Sequence, residues 1–215
     1  MTDLHSQVPY WDGVSATKTF THPLHLPWLD GIDRQAAILD YGCGYGRVME
    51  ELERHGFTGL TGVDTSPGMI ERARGLHPAM RFAVLDAPPV SPFQDGEFDA
   101  VLLFAVLTCV PDTDAQHRLV GEVARVLRPG GLLYVSDYPL QEDARNRARY
   151  ERDAARFDDH GVFETSEGAV FRHHTRERLD ALLAGFDVVG TRTAAVSSMN
   201  GHDATALQFL ARKPR

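Results

Sequence analysis

From residue 37 onward, apolar residues come in short runs, separated by longer stretches in which they recur every three or four positions. The runs fit strands and the stretches fit amphipathic helices, and their alternation predicts βαβ units around a mostly parallel sheet. The strand-like runs are 38–41, 60–64, 81–86, 98–104 and 132–137. Phe98–Phe104 is apolar without strict alternation, as expected of a central strand covered on both faces. The intervening helices bury Val48, Met49 and Leu52, then Met69, Ile70 and Ala73, then Leu119, Val123, Val126 and Leu127. Ser66 is placed as N-cap of the second helix, with Pro67 at its first position, where the missing N–H costs nothing. Arg128-Pro129-Gly130-Gly131 stops the third.

Beyond Pro139 the pattern changes. Residues 141–159 form a highly charged helical stretch, and 162–165 with 169–172 read as a hairpin around Ser166-Glu167-Gly168. Thr175 caps a further helix that turns Leu179, Leu182 and Leu183 inward and ends at Gly185. Two strand-like runs close the chain, at 187–197 and 205–212, and Asn200-Gly201 between them is a hairpin signal. The pattern therefore divides one domain, 1–215, into an N-terminal lid or arm (1–36), a core (37–139), an insertion (140–175) and a closing helix and hairpin (176–215).

The composition narrows the functional classes. A hydrophobic share of 43% over 215 residues suffices for one domain with a real core. With 22 Lys+Arg against 30 Asp+Glu the net charge is −8, unlike the basic footprint of a nucleic-acid binder or of a protein docked on an anionic membrane. Two cysteines cannot build a disulfide framework. The first seven residues lack the basic-then-apolar pattern of a signal peptide, so the expected location is the cytoplasm.

The chemistry concentrates at Asp40-Tyr41-Gly42-Cys43-Gly44-Tyr45-Gly46, where the first strand ends. Glycines there permit a sharp turn and close approach of a ligand, and the next helix offers free N–H groups. Position 47, where a dinucleotide-binding turn needs its third glycine, is Arg47. Asp40 would repel a pyrophosphate but attract a cation. Asp64 ends the second strand and Asp86 the third, suited to a ribose diol and a purine amine. Each Asp alone would be read as a helix cap. Three in register beside a glycine turn point to a cationic nucleoside, and Arg47 with Asp40 argues against an NAD-dependent oxidoreductase.

Five segments carry a family resemblance. They are Ile38–Gly46, Gly62–Ile70, Leu85-Asp86-Ala87, Phe98–Val101 and Leu127–Leu133. In that order they resemble the motifs of class I S-adenosylmethionine-dependent methyltransferases of the bacterial small-molecule type. The resemblance implies an α/β, Rossmann-like, seven-stranded mixed sheet of order 3-2-1-4-5-7-6 with helices on both faces. It implies that Gly42, Gly44 and Gly46 face the methionyl part of S-adenosylmethionine, with Asp40 beside them. Asp64 and Thr65 would hold the ribose, Asp86 and Ala87 the adenine amine, and Met69 the adenine face. Phe104 would contribute backbone near the sulfonium, and Tyr10 would close over it.

On the acceptor side, methyl transfer needs alignment first and a base only if the acceptor must lose a proton. Tyr10, Trp11, Lys18, Phe20 and His22 belong to a segment that is either a lid or an arm packed on the sheet. His173 and His174 sit before the Thr175 cap, and with Tyr10 they are the candidates for a catalytic role; the alternative is two histidines beside a cap. Tyr138 and His202 are candidate acceptor contacts. No metal is expected, because no histidine pair has helical H-x-x-x-H spacing beside a Glu. Cys43 and Cys109 read as small residues rather than nucleophiles. The resulting expectation is O- or N-methylation of a small organic acceptor. A protein or carrier-bound acceptor, or a cofactor-binding module without transfer activity, stays open, as does the oligomeric state.

Overall fold

The computed structural model describes residues 7–215, so Met1–Ser6, and with them most of the segment read for a signal peptide, lie outside it. Strand β1 (Ile38–Tyr41) lies at the centre of the sheet, parallel to β2 (Leu60–Asp64) on one side and β4 (Phe98–Phe104) on the other. β3 (Arg81–Val84) extends the sheet beyond β2, and β5 (Leu127–Asp137) beyond β4. The last two strands, β8 (Asp187–Ser197) and β9 (Asp203–Arg212), complete seven in the order β3-β2-β1-β4-β5-β9-β8, with β9 antiparallel to both neighbours. That is the expected 3-2-1-4-5-7-6, because the two-stranded hairpin of β6 (Val162–Glu164) and β7 (Val170–Arg172) lies outside the sheet.

Side chains alternate along β1, so its two faces feed two cores. Leu39 and Tyr41 join Val101, Leu133, Leu119 and Val123 on one side. Ile38 joins Leu102, Tyr134, Met49, Leu52 and Ile70 on the other. Two helices start where the sequence places them, after Ser66 and after Thr175, and the structure adds the cap of a third, Asp112. α3 (Pro67–Leu76) has the Ser66 hydroxyl accepting from the Met69 N–H at 3.1 Å. α4 (Thr113–Val126) is capped by Asp112 and α6 (Arg176–Leu182) by Thr175. α2 (Arg47–Arg54) starts directly from the glycine turn.

Within the seven-stranded sheet, three strand boundaries differ from the expectation. β3 stops at Val84, two residues early, so Asp86 lies on an exposed loop. β5 starts at Leu127, because the Arg128–Gly131 segment is a bulged strand entry that bonds to Lys213 beside β9. β9 starts at Asp203, which pairs with Ser197.

A third, smaller core caps the carboxyl edge of the sheet. Tyr150 of α5 (Ala144–Phe157) packs with Phe163, Ala169 and Phe171 of the hairpin. Tyr10 and Trp11 of α1 (Val8–Val14) and Met199 of the β8–β9 turn pack against them. This cap explains the aromatics that the strand-and-helix pattern leaves unassigned. Among the described residues no helix is long and apolar enough to cross a membrane.

Candidate active site

The carboxyl ends of β1, β2 and β4 form one wall of a cavity that the cap closes from the other side. At Gly42 (φ +77°) a Cβ would stand 2.6 Å from Val106, and at Gly44 (φ +53°) 3.1 Å from Phe20. Both positions therefore need glycine, for conformation and for space. Asp64 holds this turn in place, with Oδ2 accepting from Gly44 N–H at 2.8 Å and Oδ1 from Ser66 N–H at 2.9 Å. Burial raises the Asp64 pKa against the pull of those amides. Ala105 leaves β4 at φ +57°, a conformation rare outside glycine, and its backbone lines the cavity.

Asp40 is 2% exposed, and its Oδ2 has no hydrogen-bond partner. Burial pushes its pKa up to about 7 against the pull of Arg47. A buried, unpaired carboxylate oxygen beside a glycine turn fits a ligand carrying positive charge, and the close approach at Gly42 and Gly44 fits its chain. The residues present thus suit the cationic methionyl end of S-adenosylmethionine.

The N-terminal segment is fastened over this edge at several points. Asp12 Oδ1 accepts from the Ser66 hydroxyl at 2.5 Å and from Gly68 N–H at 3.0 Å, tying α1 to the start of α3. Arg72 donates to the carbonyls of Ser15 and Lys18 at 2.7 and 2.9 Å. Glu167, in the hairpin turn, accepts from Tyr10 OH at 2.9 Å and from Lys18 at 3.1 Å, and Lys18 also reaches Asn200.

His22 lines the cavity and is 2% exposed. Its Nδ1 stands 2.9 Å from Ser136 Oγ, while Nε2 has no partner. Gln208 donates from Nε2 to Pro23 O and Ser136 Oγ, and its Oε1 accepts from Tyr134 OH and Arg192. That bonding sets the Gln208 amide and holds Ser136 in place. Burial, with Arg47 nearby, lowers the His22 pKa to about 3, so the imidazole is neutral. Its ring meets Tyr138 edge-on at 4.6 Å, and Tyr138 stacks on His173 at 5.2 Å.

The structure gathers most of the candidate residues. Asp40, Gly42, Gly44, Asp64, Thr65, Met69 and Phe104 line the cavity, as do Trp11, Phe20, His22, Tyr138 and His173. Others stand apart. Gly46 faces Phe82 and His77. Asp86 and Ala87 are exposed, while their neighbours Leu85 and Pro88 line the cavity. Tyr10 and Lys18 are engaged with Glu167, and His202 is exposed. His174 is fully buried behind the wall. Its Nε2 accepts from the Gln116 amide at 2.8 Å and its Nδ1 faces Tyr138 O at 3.3 Å, with Asp137 at 3.8 Å. Because the Gln116 N–H donates to Nε2, the proton sits on Nδ1 and the ring bridges β5 to α4. Burial lowers the His173 pKa and raises those of Cys43 and Cys109, leaving neutral groups.

Sequence reasoning passed over Arg145, Asn146 and Arg149 of α5, which also line the cavity. The i,i+4 spacing of the arginines was a usable signal, but it resembled a solvated face.

Residues 39–135 match the family model described as a methyltransferase domain. The human methyltransferase-like protein 27 is 34% identical over 138 residues, which cover 63% of this chain and 54% of that protein. The 2-methyl-6-phytyl-1,4-hydroquinone methyltransferase of Synechocystis is also 34% identical over 138 residues, covering 61% and 42%. The chain thus spans about half the length of the curated relatives it matches. A solved S-adenosylmethionine-dependent methyltransferase from Methanosarcina mazei superposes with a TM-score of 0.82 at 27% identity, over 89% of this chain and 98% of that one. A methyltransferase-domain match over 39–135, together with a fold shared with that protein over 89% of this chain, supports a place among the class I S-adenosylmethionine-dependent methyltransferases.

Proposed function

We propose that this protein transfers the methyl group of S-adenosylmethionine to a small organic acceptor held beneath the N-terminal segment, with oxygen or nitrogen as the methylated atom. The observation that carries this reading is one cavity with two unlike ends. We read Asp40, the glycine turn and Asp64 as the cofactor side, and Tyr138 and His173 with His22 as the acceptor side; Arg47, which donates to His22 O, stands where the two meet. In this reading 37–139 serves the cofactor, while 1–36 and 140–175 enclose the acceptor and 176–215 completes the sheet. The Synechocystis relative is named for a hydroquinone, a small phenolic acceptor.

S-adenosylmethionine, when bound, supplies an electrophilic methyl on a sulfonium. The chain's own contribution is placement and proton handling. Asp40 meets the positive end of the cofactor and Asp64 the ribose hydroxyls. Thr65 and Met69 flank the nucleoside, and the exposed Asp86–Ala87 loop borders the adenine end. Trp11 and Phe20 exclude water, Tyr10 and Lys18 hold the lid through Glu167, and His202 lies at the rim. In the tautomer with Nδ1–H on the Ser136 side, His22 presents the Nε2 lone pair to an acceptor O–H or N–H. His173 orients the acceptor, and His174 supports Tyr138 from behind.

Calorimetry tests the reading. S-adenosylmethionine and S-adenosylhomocysteine are expected to bind at micromolar concentration and NAD not at all; absence of binding by both sulfur nucleosides would remove the proposal.

Asp40 adds a pH prediction. Its folded pKa of about 7 lies above the unfolded value, so ionisation opposes folding. Stability from this group is complete at low pH and is lost as pH rises through about 7. The buried histidines have lowered pKa values and slope the other way, but only below about 6.5. Asp40→Asn is therefore expected to raise the melting temperature at pH 8, by about 2–4 °C for each kcal/mol. Wild type is expected to gain S-adenosylmethionine affinity between pH 6 and 8, and Asp40→Asn to abolish that gain. Equal pH slopes in the two proteins would refute the assignment of Asp40 to the cation.

A further inference from the structure

Arg145 and Arg149 lie one turn apart on α5 and both reach the cavity. The Arg149 guanidinium sits 3.6 Å from the centre of the Phe163 ring, and its Nε is buried without a hydrogen-bond partner. Among the described residues no carboxylate forms an ion pair with it. Arg152 and Arg156 of the same helix pair with Asp153 and Glu164, and Arg172 with Asp159. Asp143 pairs with Arg145 at 3.7 Å and caps α5 through Asn146 N–H. Burial lowers the Arg149 pKa to about 10 and leaves it charged at neutral pH.

A half-buried charged guanidinium with no ion pair and an unpartnered Nε is costly to keep, and planar oxyanions match its fork of donors. Phe163 lies beneath it and the Tyr138–His173 stack is nearby, while Arg145 and Asp143 are the charged groups that act on it, with opposite signs. The acidic groups of the cavity, Asp40 and Asp64, belong to the glycine-turn end. Arg47, next to the turn, is already engaged: it donates to His22 O and pairs with Glu51 at 3.6 Å.

We propose that the acceptor carries an oxyanionic group, carboxylate or phosphate, on an aromatic or apolar body, and that Arg149 with Arg145 binds that group. The inference rests on the methyltransferase reading, since it treats this end of the cavity as the acceptor site. It makes the two ends electrostatically opposite: the acidic end takes the sulfonium ligand and the basic end an anionic acceptor, so neither ligand favours the other's place.

The test is calorimetry with benzoate against benzamide and phenyl phosphate against phenol, with and without S-adenosylhomocysteine. Wild type is expected to bind one of the anions at least tenfold more tightly than its neutral counterpart. The anion preferred separates carboxylate from phosphate. Arg149→Ala is expected to remove the preference and Arg149→Lys to keep part of it, each changing S-adenosylhomocysteine affinity less than threefold. If Arg149→Ala fails to fold, Arg145→Ala and the Lys variant carry the comparison. No preference for either anion by the wild type would overturn the proposal. So would an equal loss of S-adenosylhomocysteine affinity in Arg149→Ala, which would assign the guanidinium to the cofactor. Failure of the wild type to bind S-adenosylhomocysteine would instead strike the methyltransferase reading, and the anion preference measured without it would still judge the basic end.

Discussion

Asp64→Ala is expected to weaken S-adenosylhomocysteine binding at least 100-fold, about 2.7 kcal/mol at 1.36 kcal/mol per tenfold. Two losses combine. The carboxylate that would take both ribose hydroxyls is gone. The amides it now holds, Gly44 N–H at 2.8 Å and Ser66 N–H at 2.9 Å, lose their acceptor. Each buried donor left without a partner costs about 1–3 kcal/mol, so the glycine turn loosens and the start of α3 shifts with it. Asp12 binds that same helix start through Ser66 and Gly68, so the lid is expected to loosen too. Asp64→Asn keeps one acceptor oxygen and is expected to fall between wild type and Ala. Calorimetry together with thermal melting separates ligand loss from unfolding. Unchanged affinity in a folded Asp64→Ala would show that this carboxylate does not hold the nucleoside.

His22→Gln is expected to lower the methylation rate about 100-fold, the usual scale for loss of a positioned proton acceptor. S-adenosylhomocysteine affinity should change less than threefold, because the ring lies at the acceptor end. The argument is geometric. Among the cavity-lining histidines, His22 has a buried ring nitrogen without a partner, while His173 Nδ1 lies 2.5 Å from Tyr150 OH. The low pKa, about 3, keeps the base form present at every working pH. No acid limb from His22 is therefore expected in kcat/KM between pH 5 and 8, where the ionisations of Asp40 and Asp137, both raised by burial to about 7, fall. Glutamine can still hydrogen-bond but cannot take a proton, which separates the chemical role from packing. A rate loss under threefold, measured with the acceptor that wild type turns over, would exclude His22 as proton acceptor. A large loss in His173→Gln with none in His22→Gln would move the role to His173.

The two arguments draw on different parts of the chain's information. Asp40 and Asp64 were legible because they sit on regular strands, and Gly42 and Gly44 because they follow directly on the first of them. Apolar period places β1 and β2, the strands place their carboxyl ends together, and the side chains at those ends follow. The sheet order was legible through the family motifs for the same reason. Asp86 was less so. Its position depends on where β3 ends, and Pro88-Pro89 with the exposed loop before it takes the chain out of the sheet at Val84.

The histidines show the limit. His174 and His173 are adjacent, and extended backbone sends them to opposite sides, so one faces the cavity and the other Gln116. Nothing local says which. His22 lies 114 residues from Ser136, and Gln208 a further 72, so the arrangement that orients its ring exists only after β5 and β9 have paired.

By itself, the sequence determined the βαβ core, the acidic strand ends and the glycine turn, because hydrophobic period and φ preference act within a few residues. The tertiary structure alone decided what closes over that edge. Trp11, Phe163, Phe171 and Met199 meet in one small core from three distant segments, and Arg149 comes to lie against it without an acid. Those contacts join a short helix, a short hairpin and a turn that are far apart in sequence and too brief to carry a repeating pattern, so only burial of the remaining apolar surface selects the arrangement.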